Sequence, residues 1–311
     1  MIRSRIAAVI ASAILVPAMA ASAGSARVRV APGKSLAAAM ARAPENATIV
    51  LGAGVWREPL VIDRPGVTLV GQGAARTRID CTGLALARGK ACIVVAAPGV
   101  VIEKLAIEGA VLPPEHGANG ACIRNEHGIE LTLRNISCAH SQDGLLTDGG
   151  RILIEDSKFF DNGWTGYTHN IYLSGACEAV IRRSEMRGAR VGHELKSRCA
   201  TLLVENTTLI VERGSRALDV PDGGMVTVRG GRMVQGAHPD NAEIIGFTPE
   251  ACRHPGDLTL IGVEIETAYA EARIRNYDRC PGAAIRLDGV RITPPGAVAL
   301  VGRVERIGPS P

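Results

Sequence analysis

"VVIEKLAI" at 100–107 and "LLVENTTL" at 202–209 are one phrase written twice: two apolar positions two apart, a turn residue two further on, then another apolar position three places later. The phrase recurs as "LTLRNISC" (131–138), "ILIEDSKF" (152–159), "AVIRRSEM" (179–186), "VTVRGGRM" (226–233), "LTLIGVEI" (258–265) and "IRLDGVRI" (285–292), and its first half as "VTLVG" (67–71). Leu69, Ile102, Leu133, Ile154, Ile181, Val204, Val228, Leu260 and Leu287 hold the same place in each. Inward positions two apart on both sides of a bend are strand periodicity, not helical periodicity. The turn place is taken by Gly71, Lys104, Asn135, Asp156, Arg183, Asn206, Gly230, Gly262 and Gly289. Most of these types tolerate positive φ, which a sharp bend between two short strands requires. Beyond the bend, Ile107, Cys138, Phe159, Met186, Leu209, Met233, Ile265 and Ile292 form the next inward set.

Spacing between anchors varies from 21 residues (Leu133 to Ile154) to 33 (Leu69 to Ile102). A minimum in the low twenties with insertions of variable length is what stacked coils of three short strands give, since outward loops absorb insertions while the strands keep register. The fold predicted is a right-handed parallel β-helix of about nine or more coils. A leucine-rich repeat shares this period, but its longer Leu-x-x-Leu-x-Leu phrase with Asn is missing from most coils. The stretch "TIVLGAGVWREPLVIDRPGVTLVGQG" (48–73) and the coils after it resemble the pectate-lyase-like (pectin-lyase fold) β-helix superfamily over nearly all of the mature chain. "FFDNGWTGYTHNIYL" (159–173), "VGHELKSRCATLLVENTTL" (191–209) and "ALDVPDGG" (217–224) look similar to exported bacterial β-helix proteins. That resemblance implies a compartment and an outer groove open to polymers; it assigns no substrate.

Arg3 and Arg5, the apolar run Ile6 to Val16, and Ala21 and Ala23 read as a secretory signal over 1–23, too short to span a bilayer. The remainder, 24–311, reads as one domain, expected in the periplasm or secreted, with no transmembrane segment after signal cleavage. The formal charge of the whole chain is +4, with no basic run or aromatic platform beside it, which excludes a nucleic-acid partner. "SLAAAMARA" (35–43) is the one good helical phrase, and a short helix there would cap the open first coil. Eight cysteines without a C-x-x-C spacing suggest bridges in an exported chain, not zinc ligands. Coil alignment places Cys177 and Cys199 one coil apart; Cys81 with Cys92, Cys122 with Cys138 and Cys252 with Cys280 are the remaining nearest neighbours.

Chemistry concentrates in "GHELKSR" (192–198) and the coils either side of it. If Ile171, Leu173, Leu195, Leu218 and Val220 point inward, then Tyr172, Glu194, Lys196 and Asp219 point outward, with Arg124 and Arg275 on more distant coils. β-Elimination on a uronate polymer needs a cation on the carboxylate, a base for the C5 proton and an acid for the leaving oxygen. Lys196 is the candidate base, Arg198 the carboxylate ligand, and Tyr172 or His169 the acid, with His193 either beside them or a core histidine. Glu194, Asp219, Asp222, Arg124 and Arg275 are the candidate substrate contacts. Taken singly, such charges are ordinary solvated surface. A polygalacturonase-type hydrolase resembles a different pattern, of which only Gly192-His193 remains here. Mannuronan epimerases resemble a D-P-H-E phrase, of which only His193-Glu194 remains. Hydrolysis would use Glu194 with Asp219 or Asp222. Calcium could bind those same three carboxylates, although no recurrent D-x-D phrase accompanies them. His116, His127, His140, His238 and His254 fall in or near turns. The function expected is a polysaccharide lyase on an acidic glycan; the alternative from another class is a noncatalytic glycan-binding or envelope structural protein. Low aromatic content, 3%, leaves few stacking platforms for neutral sugars and favours acidic ones.

Overall fold

A computed structural model describes residues 26–165 and 167–307; the signal segment expected over 1–23 lies outside the described residues. The chain winds as a right-handed parallel β-helix. All named strand pairings are parallel and join strands of neighbouring coils, in a sheet of 20 strands and one of 10. The larger sheet contains two faces of the solenoid, joined where Asp143–Glu155 and Ile171–Arg182 run unbroken through the bend. A register shift between Asp148 and Gly150 marks that bend.

The repeat phrase is the coil. Leu69, Ile102, Leu133, Ile154, Ile181, Val204, Val228, Leu260 and Leu287 pair one to the next along the stack. Ile107, Cys138, Phe159, Met186, Leu209, Met233, Ile265 and Ile292 do the same on the smaller sheet. Both sets are buried in one continuous core. Burying each large side chain contributes about 1.5–3 kcal/mol, so an aspartate at Ile181 would break the stack at its middle. From Lys104 to Gly289 the turn residues lie at positive φ, Lys104 and Arg183 included. Gly71 answers a different need, since a Cβ there would stand 2.3 Å from the Lys104 carbonyl oxygen.

The helix Leu36–Arg42 forms at the expected place. Ser35 caps it by accepting from the Ala38 N–H at 3.1 Å, and Glu58 accepts from the Leu36 N–H at 2.7 Å. Its buried face of Leu36, Ala39 and Met40 packs on the strands Arg27–Val30 and Leu60–Ile62, closing the core at that end. Among the described residues no helix is long and apolar enough to cross a membrane.

Three of the four expected bridges are present: Cys81–Cys92, Cys177–Cys199 and Cys252–Cys280. The fourth is corrected: Cys122 and Cys138 are unbridged and buried. They face each other from the strands Ala121–Asn125 and Ser137–Ala139, where burial first and then the neighbouring Cys122 thiol push the Cys138 thiol up, without a bond between them. Each sulfur instead meets a polar group, Cys122 Sγ the Ile107 carbonyl at 3.4 Å and Cys138 Sγ the Gly144 carbonyl at 3.5 Å.

Candidate functional site

One outer face carries the chemistry because register stacks its residues. The inward residues Ile123, Leu145, Ile171, Leu195, Leu218, Ile245 and Ile274 are each fully buried. The residue after each points out, and pairing puts Arg124, Leu146, Tyr172, Lys196, Asp219, Gly246 and Arg275 in a single column. Two places before the inward residue, where each strand enters from its corner, runs a second column: Asp143, His169, His193, Arg216 and Glu243.

The first three members of the second column form a ladder in which each side chain accepts the backbone N–H of the next coil. Asp143 Oδ1 accepts from His169 N at 2.7 Å, His169 Nδ1 from His193 N at 3.0 Å, and His193 Nδ1 from Arg216 N at 3.2 Å. With Nδ1 accepting, each neutral imidazole carries its hydrogen on Nε2. Burial, and after it the cations nearby, hold both imidazoles well below the ordinary histidine range, so they are neutral. His193 Nε2 lies 3.4 Å from Asp219 Oδ2. Burial likewise pushes Asp143 up to about 8, against the His169 N–H bond and the charge of Arg124.

Over this ladder lies a layer of ion pairs. Lys196 Nζ stands 3.7 Å from Asp219 Oδ2 and 3.3 Å from Glu250 Oε1, and 5.4 Å from the centre of the Tyr172 ring. Arg198 donates from Nε to Tyr172 Oη at 2.8 Å, from Nη1 to Asp222 Oδ1 at 2.8 Å, and from Nη2 to Glu250 Oε2 at 2.6 Å. Burial works against the Glu250 carboxylate, yet the Arg198 bond and the Lys196 charge hold its pKa below the ordinary value. Arg216 supports the layer from below, donating to Asp219 Oδ1 at 2.8 Å and pairing with Glu243.

Tyr172, His169, His193, Lys196, Arg198, Asp219 and Asp222 therefore converge. Asp219 and Asp222 are almost fully buried and act as counter-charges: Asp219 to Arg216 and Lys196, Asp222 to Arg198 and Arg253. Glu194 is corrected: it is 0% exposed and takes no part in the outer face. It sits at the corner before Leu195–Ser197, where Asn170 Nδ2 donates to it at 2.5 Å and Ala189 N at 3.0 Å, and burial pushes its pKa up to about 8. A Glu194 with Asp219 or Asp222 hydrolytic pair, and a calcium site on the three, lose their geometry with it. Among the described residues no group of three carboxylate, histidine or cysteine side chains converges as a metal site. Arg124 and Arg275 share the column but lie three coils either side of Lys196, about 14 Å along the axis. They are paired locally, Arg124 with Asp148 at 2.8 Å and Arg275 with Glu243 at 3.3 Å.

Sequence reading missed Asp143, Arg216, Glu243 and Glu250. The first three were accessible, because they stand at the same offset from the inward leucine or isoleucine as His169 and His193 do. Glu250 carried no such signal; it reaches the site from the turn after Glu243–Phe247.

The fold is similar to that of an alginate lyase from Paenibacillus sp. str. FPU-7, at 14% identity over 90% of this chain and 99% of the other, with a TM-score of 0.64. It is also similar to the pectin methylesterase PemA from Erwinia chrysanthemi (14% identity, 83% and 95% of the chains, TM-score 0.55). A pectin methylesterase solved in complex with a hexasaccharide gives 15% identity, 79% and 90% coverage, and a TM-score of 0.54. At these identities the likeness is one of fold. No protein-family model and no curated protein sequence matches the chain.

Proposed function

We propose that this protein is an exported polysaccharide lyase that cleaves an acidic glycan by β-elimination. One observation carries the reading: Lys196 and Arg198 together already hold a carboxylate, that of Glu250, which is 49% exposed on the solvent side of the site. A uronate carboxylate can take that place on the Arg198 guanidinium, which leaves the Lys196 nitrogen beside the sugar ring. The loop glutamate can yield that place, since it stands on the solvent side and regains hydration when it leaves. The fold neighbours lend the class, as they include an alginate lyase and a pectin methylesterase bound to a hexasaccharide. Three disulfides support export.

In the proposed reaction Arg198 holds the substrate carboxylate and stabilises the negative charge that grows on it as the C5 proton leaves. Lys196, as the free amine left once its ammonium has given a proton to solvent, takes that proton; the C5–H electron pair becomes the C4=C5 double bond, and the C4–O bond breaks. Tyr172 protonates the departing oxygen. It is better placed than His169, whose ring is buried between Tyr172 and His193. The buried ladder keeps these groups in place, and Arg198 Nε fixes the direction of the phenol oxygen. The test is a panel of polymannuronate, polyguluronate, polygalacturonate and glucuronate-containing polymers, read by the ultraviolet absorbance of unsaturated product. Absorbance rising with one acidic polymer, and not after methyl esterification of its carboxylates, is the expected result. No product from any of them removes the proposal.

A further inference from the structure

We infer that Trp164 and Arg190 form a second carbohydrate contact, a platform for an acidic sugar unit on the rim of the Lys196–Arg198 site. The class of ligand rests on the lyase reading; the platform itself rests on other observations. The chain has two tryptophans, four tyrosines and three phenylalanines, and Phe159, Phe160, Trp164, Tyr167 and Tyr172 crowd into one coil. The next coil supplies a cation over three of them: Arg187 lies 5.9 Å from the Phe160 centroid, Arg190 4.8 Å from that of Trp164, and Lys196 5.4 Å from that of Tyr172.

The three pairs differ in their counter-charges. Arg187 faces Glu185 and Glu212, and Lys196 faces Asp219 and Glu250. Arg190, among the described residues, has no carboxylate within ion-pair distance, although its guanidinium is the closest of the three to its ring. Trp164 is 38% exposed, whereas the other tryptophan, Trp56, is 3% exposed in the core. The pair is held by the backbone: Arg190 N donates to Asn162 O at 2.9 Å, Val191 N to Gly163 O at 2.8 Å, and Gly163 N to Gln142 O at 2.8 Å. The same two segments run on into His169 and His193, so the platform adjoins the site across its corner. A cleft of about 380 Å³ opens beside it, bounded by Gly188, Ala189, Arg190 and Arg213, with Asp161 and Glu212 also on its wall.

An indole surface takes the C–H face of a sugar ring, and a guanidinium without a counter-ion takes a carboxylate. A neutral sugar can use only the first. The platform therefore favours an acidic unit some way along the polymer from the bond that is cut, and short substrates would not reach it.

Trp164 can report on this directly, because Trp56 is buried and Trp164→Phe supplies the signal to subtract. Acrylamide quenching of tryptophan fluorescence is measured with hexamers of galacturonate and of mannuronate, with cellohexaose as the neutral control, and calorimetry on the same samples reports binding. Expected are protection of Trp164 by an acidic hexamer but not by cellohexaose, and about tenfold weaker hexamer binding in Arg190→Gln with disaccharide binding unchanged. Saturating hexamer binding with Trp164 still freely quenched overturns the platform and leaves the lyase reading standing. Equal protection by cellohexaose overturns the acidic preference. Failure of both acidic hexamers to bind at all overturns the platform together with the reading beneath it.

Discussion

The ring of His193 lies flat on that of His169, one coil before it, with centroids 4.9 Å apart and planes within 6°. Two stacked imidazoles this close cannot both be charged at modest cost, and burial opposes even the first charge. Asp143 below them and Glu194 beside them are carboxyls kept neutral by the same desolvation, each near 8. This side of the site is thus a block of buried neutral acids and bases under a charged surface.

The block predicts how stability follows pH. For the histidines the folded pKa lies below the ordinary 6.5, so the unfolded chain binds more protons once pH drops under that value, and stability falls with acidification from there. For Asp143 and Glu194 the folded value near 8 lies above the ordinary 3.8 and 4.5, so their contribution is complete below those values and is lost as pH rises through about 8. Between pH 6.5 and 8 the two carboxyls therefore act without opposition from the histidines. Urea unfolding across that interval should show stability declining by up to about 1.4 kcal/mol per pH unit for each carboxyl. Glu194→Gln should make the slope shallower while lowering stability at neutral pH, because the amide cannot accept from both Asn170 and Ala189. An unchanged slope in the variant would show that Glu194 is ionised when folded.

Peptide mapping of non-reduced protein should find Cys81–Cys92, Cys177–Cys199 and Cys252–Cys280, and thiols at Cys122 and Cys138 that alkylate only after denaturation. Replacing Cys177 and Cys199 by alanine should lower stability by about 2–4 kcal/mol, as loss of a loop-closing link does. A Cys122–Cys138 bridge in the isolated protein would contradict the free state of these two adjacent thiols.

How far the sequence could be read follows from what periodicity carries. Anchors such as Ile181 and Val204 sit in register because a parallel coil has one inward phase, and a slip by one would expose the whole set. Tyr172, Lys196 and Asp219 were legible for the same reason, being the outward neighbours of inward residues. Glu194 failed that test because it precedes the strand. Alternation holds along extended backbone and lapses at a corner, where a side chain is free to turn under the sheet and find Asn170. Cys138 failed differently: it does lie beside Cys122 in the core, but two adjacent buried thiols are not thereby joined. Glu250 is the long-range case, a loop residue whose arrival between Lys196 and Arg198 depends on the path of a turn that no repeat describes.

Glu250 should behave as an internal competitor. Glu250→Gln removes the carboxylate from Lys196 and Arg198 but keeps the size of the side chain, so the acidic polymer no longer has to displace an anion. KM should drop by about three- to tenfold with kcat within about twofold, since ground state and transition state gain alike. Adding salt should narrow the gap between variant and wild type. A raised KM would mean instead that Glu250 positions the two cations for substrate.

The sharpest separation of enzyme from binding protein lies in Lys196. As the proposed base it acts on the C5 proton and contributes mainly in the transition state, so Lys196→Ala should lower kcat by at least about 100-fold while glycan affinity stays within a few-fold. Arg198→Ala should weaken both, because its contact with the substrate carboxylate exists before and during the reaction, and it also leaves Asp222 and the Tyr172 oxygen without a donor they now have. His193→Ala is the control for collapse of the scaffold: it removes the acceptor for Arg216 N and the ring stacked on His169, so it should cost stability first and activity in proportion. Wild-type protein that retains acidic glycans on a column yet yields no unsaturated product, with Lys196→Ala only loosening that retention, would make the Lys196–Arg198 site a binding groove and not a lyase.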